Sequence, residues 1–334
     1  MDLITQGVLG ALLAQTQAKT NQLGKALIIG GLAGMAPDLD VLIRSSSDPL
    51  LFLEFHRHFS HSLFFIPIGG LVTSLLLYPL IGKRWQLSYF QTLLWCLIGF
   101  ATHGLLDGCT SYGTQLLWPF SNERIAWSFI SIIDPLFTLP LIIFTILAVK
   151  KSSRCYITLA LLWMSFYLAI GYIQHQRAIQ QGELLAQQRG HSAIKLKAHP
   201  SFANLIVWRT LYQHNDYIYT DAVRLGISQT KVWQGQKVPI LKIKRDLPWL
   251  DSNSQQAKDI ERFRWFSANF IALDPKNPLR IIDLHHALIP NTLNALWGIT
   301  LAKEAKKDAH VHFSMKHTER NINSLYSMVF NSKD

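Results

Sequence analysis

The sequence predicts an α-helical integral membrane domain of about six helices followed by a small soluble α+β domain, and three observations carry that expectation. Every long uncharged apolar run lies before about Ile173. The remainder holds 22 of the 32 Lys and Arg and 13 of the 21 acidic residues of the 334-residue chain. Charged residues are only 16% of the total against 49% hydrophobic, where soluble domains usually carry about a quarter, while the mean hydropathy is too low for a chain that is membrane throughout. This argues against disorder and for two parts, a membrane domain over 1–175 and a soluble domain over 201–334, joined by a helical linker over 176–200.

Four segments are long enough to span a hydrocarbon core of roughly 30 Å, which takes about 20 helical residues: Ser62 to Gly82, Tyr89 to Leu106, Phe129 to Val149 and Cys155 to Ile173. Leu3 to Gln15 and Leu27 to Ile43 are shorter and rich in Gly and Ala, which lets helices approach closely and suggests a tight hairpin. Asp2 stands where a cleaved secretion signal would carry positive charge, so the first segment is expected to be retained. The three cysteines give no disulfide framework. Lys19 and Lys25, Lys83 and Arg84, and Lys150, Lys151 and Arg154 fall on one face of a six-helix alternation. The rule that basic loops stay cytoplasmic then places both termini outside, in the periplasm of a bacterium with two membranes.

On that topology Asp2, Asp38, Asp40, His56, His58, His61, His103, Asp107 and Asp134 lie near the external helix ends. Ionisable groups in membrane segments are expensive and usually face a cavity or one another. His103-Gly-Leu-Leu-Asp107 puts an imidazole and a carboxylate four apart on one helix face, a mixture that Zn²⁺ and other divalent ions accept; a metal-free hydrogen bond explains the same pair. Asp38-Leu-Asp40 follows Pro37, which marks a break in the helix; the two acids can meet one ion or merely cap the next turn. His56-Arg-His58-Phe-Ser-His61-Ser62 offers ligands or acid–base groups, with Ser60 or Ser62 placed to cap the following helix and orient His61; an interfacial polar belt is the alternative. Asp134, before Pro135, is a further ligand or a carboxylate that holds a histidine. Hydroxyls in Thr110 to Gln115 are placed to bind substrate oxygens.

In the C-terminal part, Leu205 to Tyr212 and Tyr217 to Leu225 read as a hairpin, with further strands at Val238 to Ile243, Phe270 to Leu273, Leu279 to Leu284, Leu296 to Leu301 and Val311 to Met315, and a helix from Ser254 to Ser267. Lys and Arg are scattered here, without a nucleic-acid-binding signature, so no nucleic-acid partner is expected. His285-His286 and His310-x-His312 are read as structural or surface groups, since two ligands seldom make a metal site.

The ordered set Met1-Asp2-Leu-Ile-Thr5-Gln6-Gly7, Ala36-Pro-Asp38-Leu-Asp40, His56 to Ser62 and His103 to Thr114 resembles the YdjM (DUF457) family of bacterial inner-membrane metal-dependent hydrolases, over about the first 140 residues. That family is distantly similar to zinc-dependent phospholipase C and P1-type nucleases. The resemblance implies a hydrolase that needs divalent metal, with Asp38, His61, His103 and Asp107 on the matching motif positions and phosphoester hydrolysis as the reaction class. Many relatives carry histidine where this chain has Gln6, a poor ligand, which puts the first segment's role in coordination in doubt.

The expectation is therefore a multi-pass inner-membrane enzyme in which Asp38, His61, His103 and Asp107, with Asp134, hold one or two divalent ions, zinc before manganese or magnesium. A metal-activated water attacks an ester or phosphoester, with His56, His58 or Asp40 as proton acceptor or additional ligand. The bilayer is the partner and a lipid or lipid-linked molecule the substrate that fits the location. A cation transporter or an inactive anchor using the same residues is the alternative; the nearly apolar interiors of the third, fifth and sixth segments count against an ion path.

Overall fold

The computed structural model describes residues 1–315 and 322–330; the stretches 316–321 and 331–334 of the expected soluble domain lie outside them. The chain forms two compact units, one of Met1–Leu42, Phe55–Ile173 and Phe202–Asn204, the other of Ile43–Glu54, Gln174–Ser201 and the chain from Leu205 onward.

The first unit is helical. In chain order the helices up to Gln188 are α1 (Leu3–Thr16), α2 (Leu23–Met35), the short α3 (Leu51–Phe55), α4 (Ile66–Leu77), α5 (Tyr89–Gly108), α6 (Pro135–Lys150) and α7 (Cys155–Gln188); α3 up to Glu54 and α7 from Gln174 belong to the second unit. Asp2 caps α1 by accepting the Thr5 amide at 3.0 Å, and Ser88 caps α5 through the Gln91 amide. Among the described residues, three stretches are long and apolar enough to cross a membrane: Leu63–Gly82, Tyr89–Gly108 and Cys155–Gln188. The expected span from Phe129 is shorter, because the chain stays irregular until Asp134 caps a helix that begins at Pro135. Its 16 residues rise about 24 Å at 1.5 Å each.

Glycine sets the closeness of α1, α2 and α5. A Cβ on Gly30 would fall 2.3 Å from Ala14 Cβ and 2.6 Å from the Gly10 carbonyl oxygen, and one on Gly99 would fall 2.4 Å from the Gly30 oxygen. Only hydrogen fits at such separations, as in tightly packed membrane helices. On the outside, Leu71, Val72, Leu75 and Leu76 of α4, Leu136, Leu139 and Ile143 of α6, and Leu162 and Phe166 of α7 are exposed. Apolar surface of that extent belongs in hydrocarbon or under a partner.

The second unit is built on antiparallel sheets. One contains β1 (Ile194–Pro200), β2 (Val207–His214), β3 (Tyr217–Leu225) and β4 (Thr230–Trp233) in that order, with β5 (Lys237–Pro239) also on β3; the other contains β6 (Ile271–Asp274), β7 (Asn277–Asp283), β8 (Trp297–Thr300) and β9 (His312–Met315). Helices α8 (Ile243–Asp246), α9 (Gln255–Phe266) and α10 (Ile322–Phe330) complete it. The expected β2–β3 hairpin turns at Asn215, whose φ of 50° is the left-handed conformation asparagine tolerates, and His214 pairs with Tyr217. Leu211, Ile218, Val238, Phe270, Ile282 and Leu284 form one core.

Two expectations for this half are corrected. The 176–200 stretch is not helical throughout: α7 runs on to Gln188, and 194–200 pairs with β2 as a strand. The strand expected from Val238 to Ile243 stops at Pro239, which lacks an N–H for further pairing, and Ile243 begins α8.

Candidate metal centre

The break expected at Pro37 ends α2 at Met35, and the chain tightens into a 3₁₀ helix over Ala36–Leu42 rather than an irregular loop. This turn carries Asp38 and Asp40. A second 3₁₀ turn, Phe59–His61, presents His61, after which Ser62 accepts the Phe65 amide at 3.2 Å and starts the next helical stretch. His103 and Asp107 come from the last turns of α5. Gly104 lets α5 meet the His61 turn, since a Cβ there would lie 2.1 Å from the His61 carbonyl oxygen. Gly104→Ala is expected to force the two apart, costing about 1–3 kcal/mol as overpacking does and weakening metal binding, both measurable by thermal unfolding with and without chelator.

Four side chains converge. His61 Nε2 lies 3.4 Å from Asp38 Oδ1 and 3.3 Å from Asp107 Oδ2, and His103 Nε2 lies 3.3 Å from Asp38 Oδ1 and 3.8 Å from Asp107 Oδ2. His61, His103 and Asp107 are buried, and neither imidazole Nε2 has a hydrogen-bond partner. Ligand atoms about 2.0–2.2 Å from a tetrahedral ion stand roughly 3.4 Å from one another. The observed spacings match, so this Asp/His cluster could hold a metal ion. A second group, Asp38, Asp40 and His56, meets the same closeness criterion and shares Asp38 with the first.

The surroundings fix which nitrogen faces the centre. His103 Nδ1 donates to the Gly34 carbonyl at 2.6 Å. His61 Nδ1 lies 3.0 Å from Ser60 Oγ and 3.2 Å from Asp40 Oδ2. Both contacts hold the proton on Nδ1 and leave the Nε2 lone pair for an ion. Asp40 also accepts from the Arg57 amide at 2.9 Å and Ser60 Oγ at 3.0 Å, and meets His56 Nδ1 at 2.9 Å. Gln6, in place of a ligand, donates from Nε2 to Asp107 Oδ1 at 2.8 Å, so the first helix touches the centre by orienting a carboxylate. The Met1 amino group also contacts Asp107 Oδ1.

Arg57 belongs to the site although the sequence reading assigned it no role there, the interfacial-belt alternative accounting for it. It is buried, with φ of 65°, and its Nε lies 3.0 Å from Asp107 Oδ2 while Nη1 donates to Thr110 Oγ1 at 2.9 Å. Its guanidinium lies over the Tyr112 ring at 4.5 Å. The clue was its place between two histidines, with Thr110 and Tyr112 just beyond the His–Asp pair. Thr110 and Gln115 brace this arginine, Gln115 by donating its backbone amide to the Arg57 carbonyl at 3.0 Å.

Two candidates stand outside the cluster. Asp134 is corrected from ligand to cap: it accepts the Phe137 amide at 3.3 Å and the Tyr167 hydroxyl at 2.9 Å on each carboxylate oxygen, and it belongs to neither candidate group. Starting a helix at Pro135 requires a cap, and Asp134 supplies it. Asp134→Ala is expected to leave metal content unchanged while costing about 0.5–2 kcal/mol of stability, read by metal analysis and thermal unfolding. His58, a proton-acceptor candidate, also joins neither group; its ring packs against Phe55, Phe59 and Trp118 at 5.4, 6.0 and 5.2 Å. In the second unit, His286 Nδ1 meets Asp283 and His310 Nδ1 meets Asp259, each at 2.9 Å. Burial and neighbouring His199 and Lys197 hold His285 well below the usual imidazole pKa.

The sequence model of the family described as YdjM inner membrane protein matches residues 1–178. A Bacillus subtilis (strain 168) protein described as uncharacterized protein YfhP is 30% identical over 111 residues, 33% of this chain and 33% of that protein. The inner membrane protein YbcI of Escherichia coli (strain K12) is 33% identical over 103 residues, 30% of this chain and 57% of that protein. The matched stretches thus span a third and just over half of these relatives. No solved structure matches the chain.

Proposed function

The chain belongs to the YdjM inner membrane protein family, and from that premise we propose that it is a multi-pass inner-membrane hydrolase acting on a phosphoester or lipid-like ester at the periplasmic surface. The observation that carries this reading is the convergence of His61, His103, Asp38 and Asp107 at ligand spacing, with both Nε2 atoms turned inward. Asp38, common to both candidate groups, would together with Asp40 and His56 hold a second ion where two are bound. Zinc suits the nitrogen and oxygen donors best. When bound, a divalent ion supplies Lewis acidity, making water nucleophilic near neutral pH and polarising the ester.

The protein's own groups supply the remainder. Arg57, held by Asp107 and Thr110, offsets part of the negative charge that three aspartates gather and that a phosphoester would add. With an ion held by the four-donor group alone, His56, paired with Asp40 and less buried than His61, is the group placed to accept a proton from attacking water. The apolar outer faces of α4, α6 and α7 match a bilayer location and a lipid or lipid-linked substrate, and six helices that cross or dip into the membrane satisfy the basic-loop rule.

The test is to purify the full chain in detergent, measure its bound metal, and assay a phosphodiester and phospholipids before and after chelation. Stoichiometric metal with hydrolysis that chelation abolishes and zinc restores is the expected result. Metal without turnover on any ester, accompanied by ion flux in vesicles, would overturn the enzyme reading.

A further inference from the structure

Between Asp40 and His56, which meet at 2.9 Å, the chain leaves the helical unit after Leu42 and rejoins it at Phe55. The intervening segment, Ile43–Glu54, folds as part of the second unit. It is anchored there by apolar and ionic contacts. Leu50 and Leu53 are buried, and the Phe52 ring meets Phe313 edge-on at 5.1 Å. One arginine of α9 then grips the segment at both a middle and a terminal position. Arg262 donates to Asp48 through Nη1 at 3.0 Å and Nη2 at 2.8 Å, and to Glu54 through Nε at 2.5 Å.

The grip is itself backed. Arg262 Nη1 also donates to Asp259 at 2.9 Å, and Asp259, fully buried, accepts from Gln255 Nε2 at 3.0 Å, from the Val311 amide at 3.1 Å and meets His310 Nδ1 at 2.9 Å. Burial works to raise the Asp48 pKa, but the bonds from Arg262 and the Leu50 amide outweigh it and hold the carboxyl below its usual range, so the pair is charged at neutral pH. A planar fork bound to two carboxylates is a rigid attachment, which lysine cannot reproduce.

The consequence lies at the two ends of the segment. One end carries Asp38 and Asp40, the other His56, Arg57 and His61, and these groups must stay within hydrogen-bond reach for the metal centre to keep its shape. A loop left free between them would hold that geometry only against its own conformational entropy. We propose that Arg262 is a positioning residue for the metal centre, fixing the Ile43–Glu54 segment so that Asp40 and His56 are presented to each other. The C-terminal unit thereby sets metal affinity through the continuity of the chain. This inference rests on the hydrolase reading only for its metal readout.

The test uses the full chain in detergent, with Arg262→Ala and Arg262→Lys beside the parent. Backbone hydrogen exchange is followed by mass spectrometry, and zinc affinity by competition with a chromophoric chelator. Both variants are expected to exchange faster over 43–54 and also over 36–42 and 56–62, with α5 unchanged, and to bind zinc about 10-fold more weakly, in the range for loss of an outer-shell support. If Arg262→Ala does not fold, the lysine variant decides. Faster exchange confined to 43–54, with zinc affinity as in the parent, would overturn the proposal. Should the parent bind no zinc, the hydrolase reading fails, and exchange over 36–42 and 56–62 still decides whether Arg262 positions those turns.

Discussion

His103→Ala and Asp107→Ala are each expected to leave the purified protein with less than stoichiometric metal and to lower metal-dependent hydrolysis by more than about 100-fold, because losing an outer-shell partner alone costs about 10–100-fold and these two side chains would touch the ion. Their distances to the other donors are 3.3 to 3.8 Å. The two variants should differ in stability. His103→Ala removes the ring and one bond to the Gly34 carbonyl. Asp107→Ala also leaves buried Arg57 without its carboxylate, and breaking a buried pair typically costs about 3–5 kcal/mol. Metal analysis, turnover and thermal unfolding of both proteins separate the contributions. Full metal content in folded His103→Ala would sink the four-donor centre.

Asp40→Asn is the second large effect. Asp40 is expected to act mainly through other groups, since its two oxygens hold His61 Nδ1, His56 Nδ1, the Arg57 amide and Ser60 Oγ. An asparagine of the same size keeps one acceptor oxygen and replaces the other with a donor, so whichever way the amide is turned either the His61 Nδ1 contact at Oδ2 or the His56 Nδ1 contact at Oδ1 is lost, and with it the hold on one histidine beside Asp38. Metal affinity should fall about 10–100-fold while the protein still folds, and excess metal should restore turnover. His103→Ala, having lost a ligand outright, should not recover in this way. Unchanged affinity in Asp40→Asn would show that the released histidine is held by its other contacts and packing alone.

These two residues also mark the boundary between what was legible in the chain and what was not. His103 and Asp107 stand four apart on a helix, and that spacing by itself puts an imidazole and a carboxylate on one face. Asp40 was equally visible as a carboxylate near a proline, but its part in holding His61 depends on a 3₁₀ turn meeting another turn from beyond the Ile43–Glu54 segment. Asp134 shows the same limit in reverse. A membrane-edge acid before a proline reads as a ligand or as a carboxylate that holds a histidine, and only the folded chain shows it accepting the Phe137 amide at 3.3 Å and the Tyr167 hydroxyl at 2.9 Å. Arg57 was hidden because its role comes from a left-handed backbone and a buried carboxylate, neither of which leaves a periodic trace.

Apolar run lengths, the charge imbalance and the ordered His and Asp motifs together determined, without coordinates, a helical membrane-type region preceding a sheet-containing one, and which side chains are chemically suited to a metal. Those properties are local: they follow from residue type and from the repeat of helix or strand. Tertiary structure alone decided that three stretches among the described residues reach spanning length, that 43–54 folds with the C-terminal unit, and that Gln6, Asp40 and Arg57 surround the four donors. Such facts depend on contacts between residues far apart in sequence, where the cost of burying polar groups is met by partners that no local pattern names.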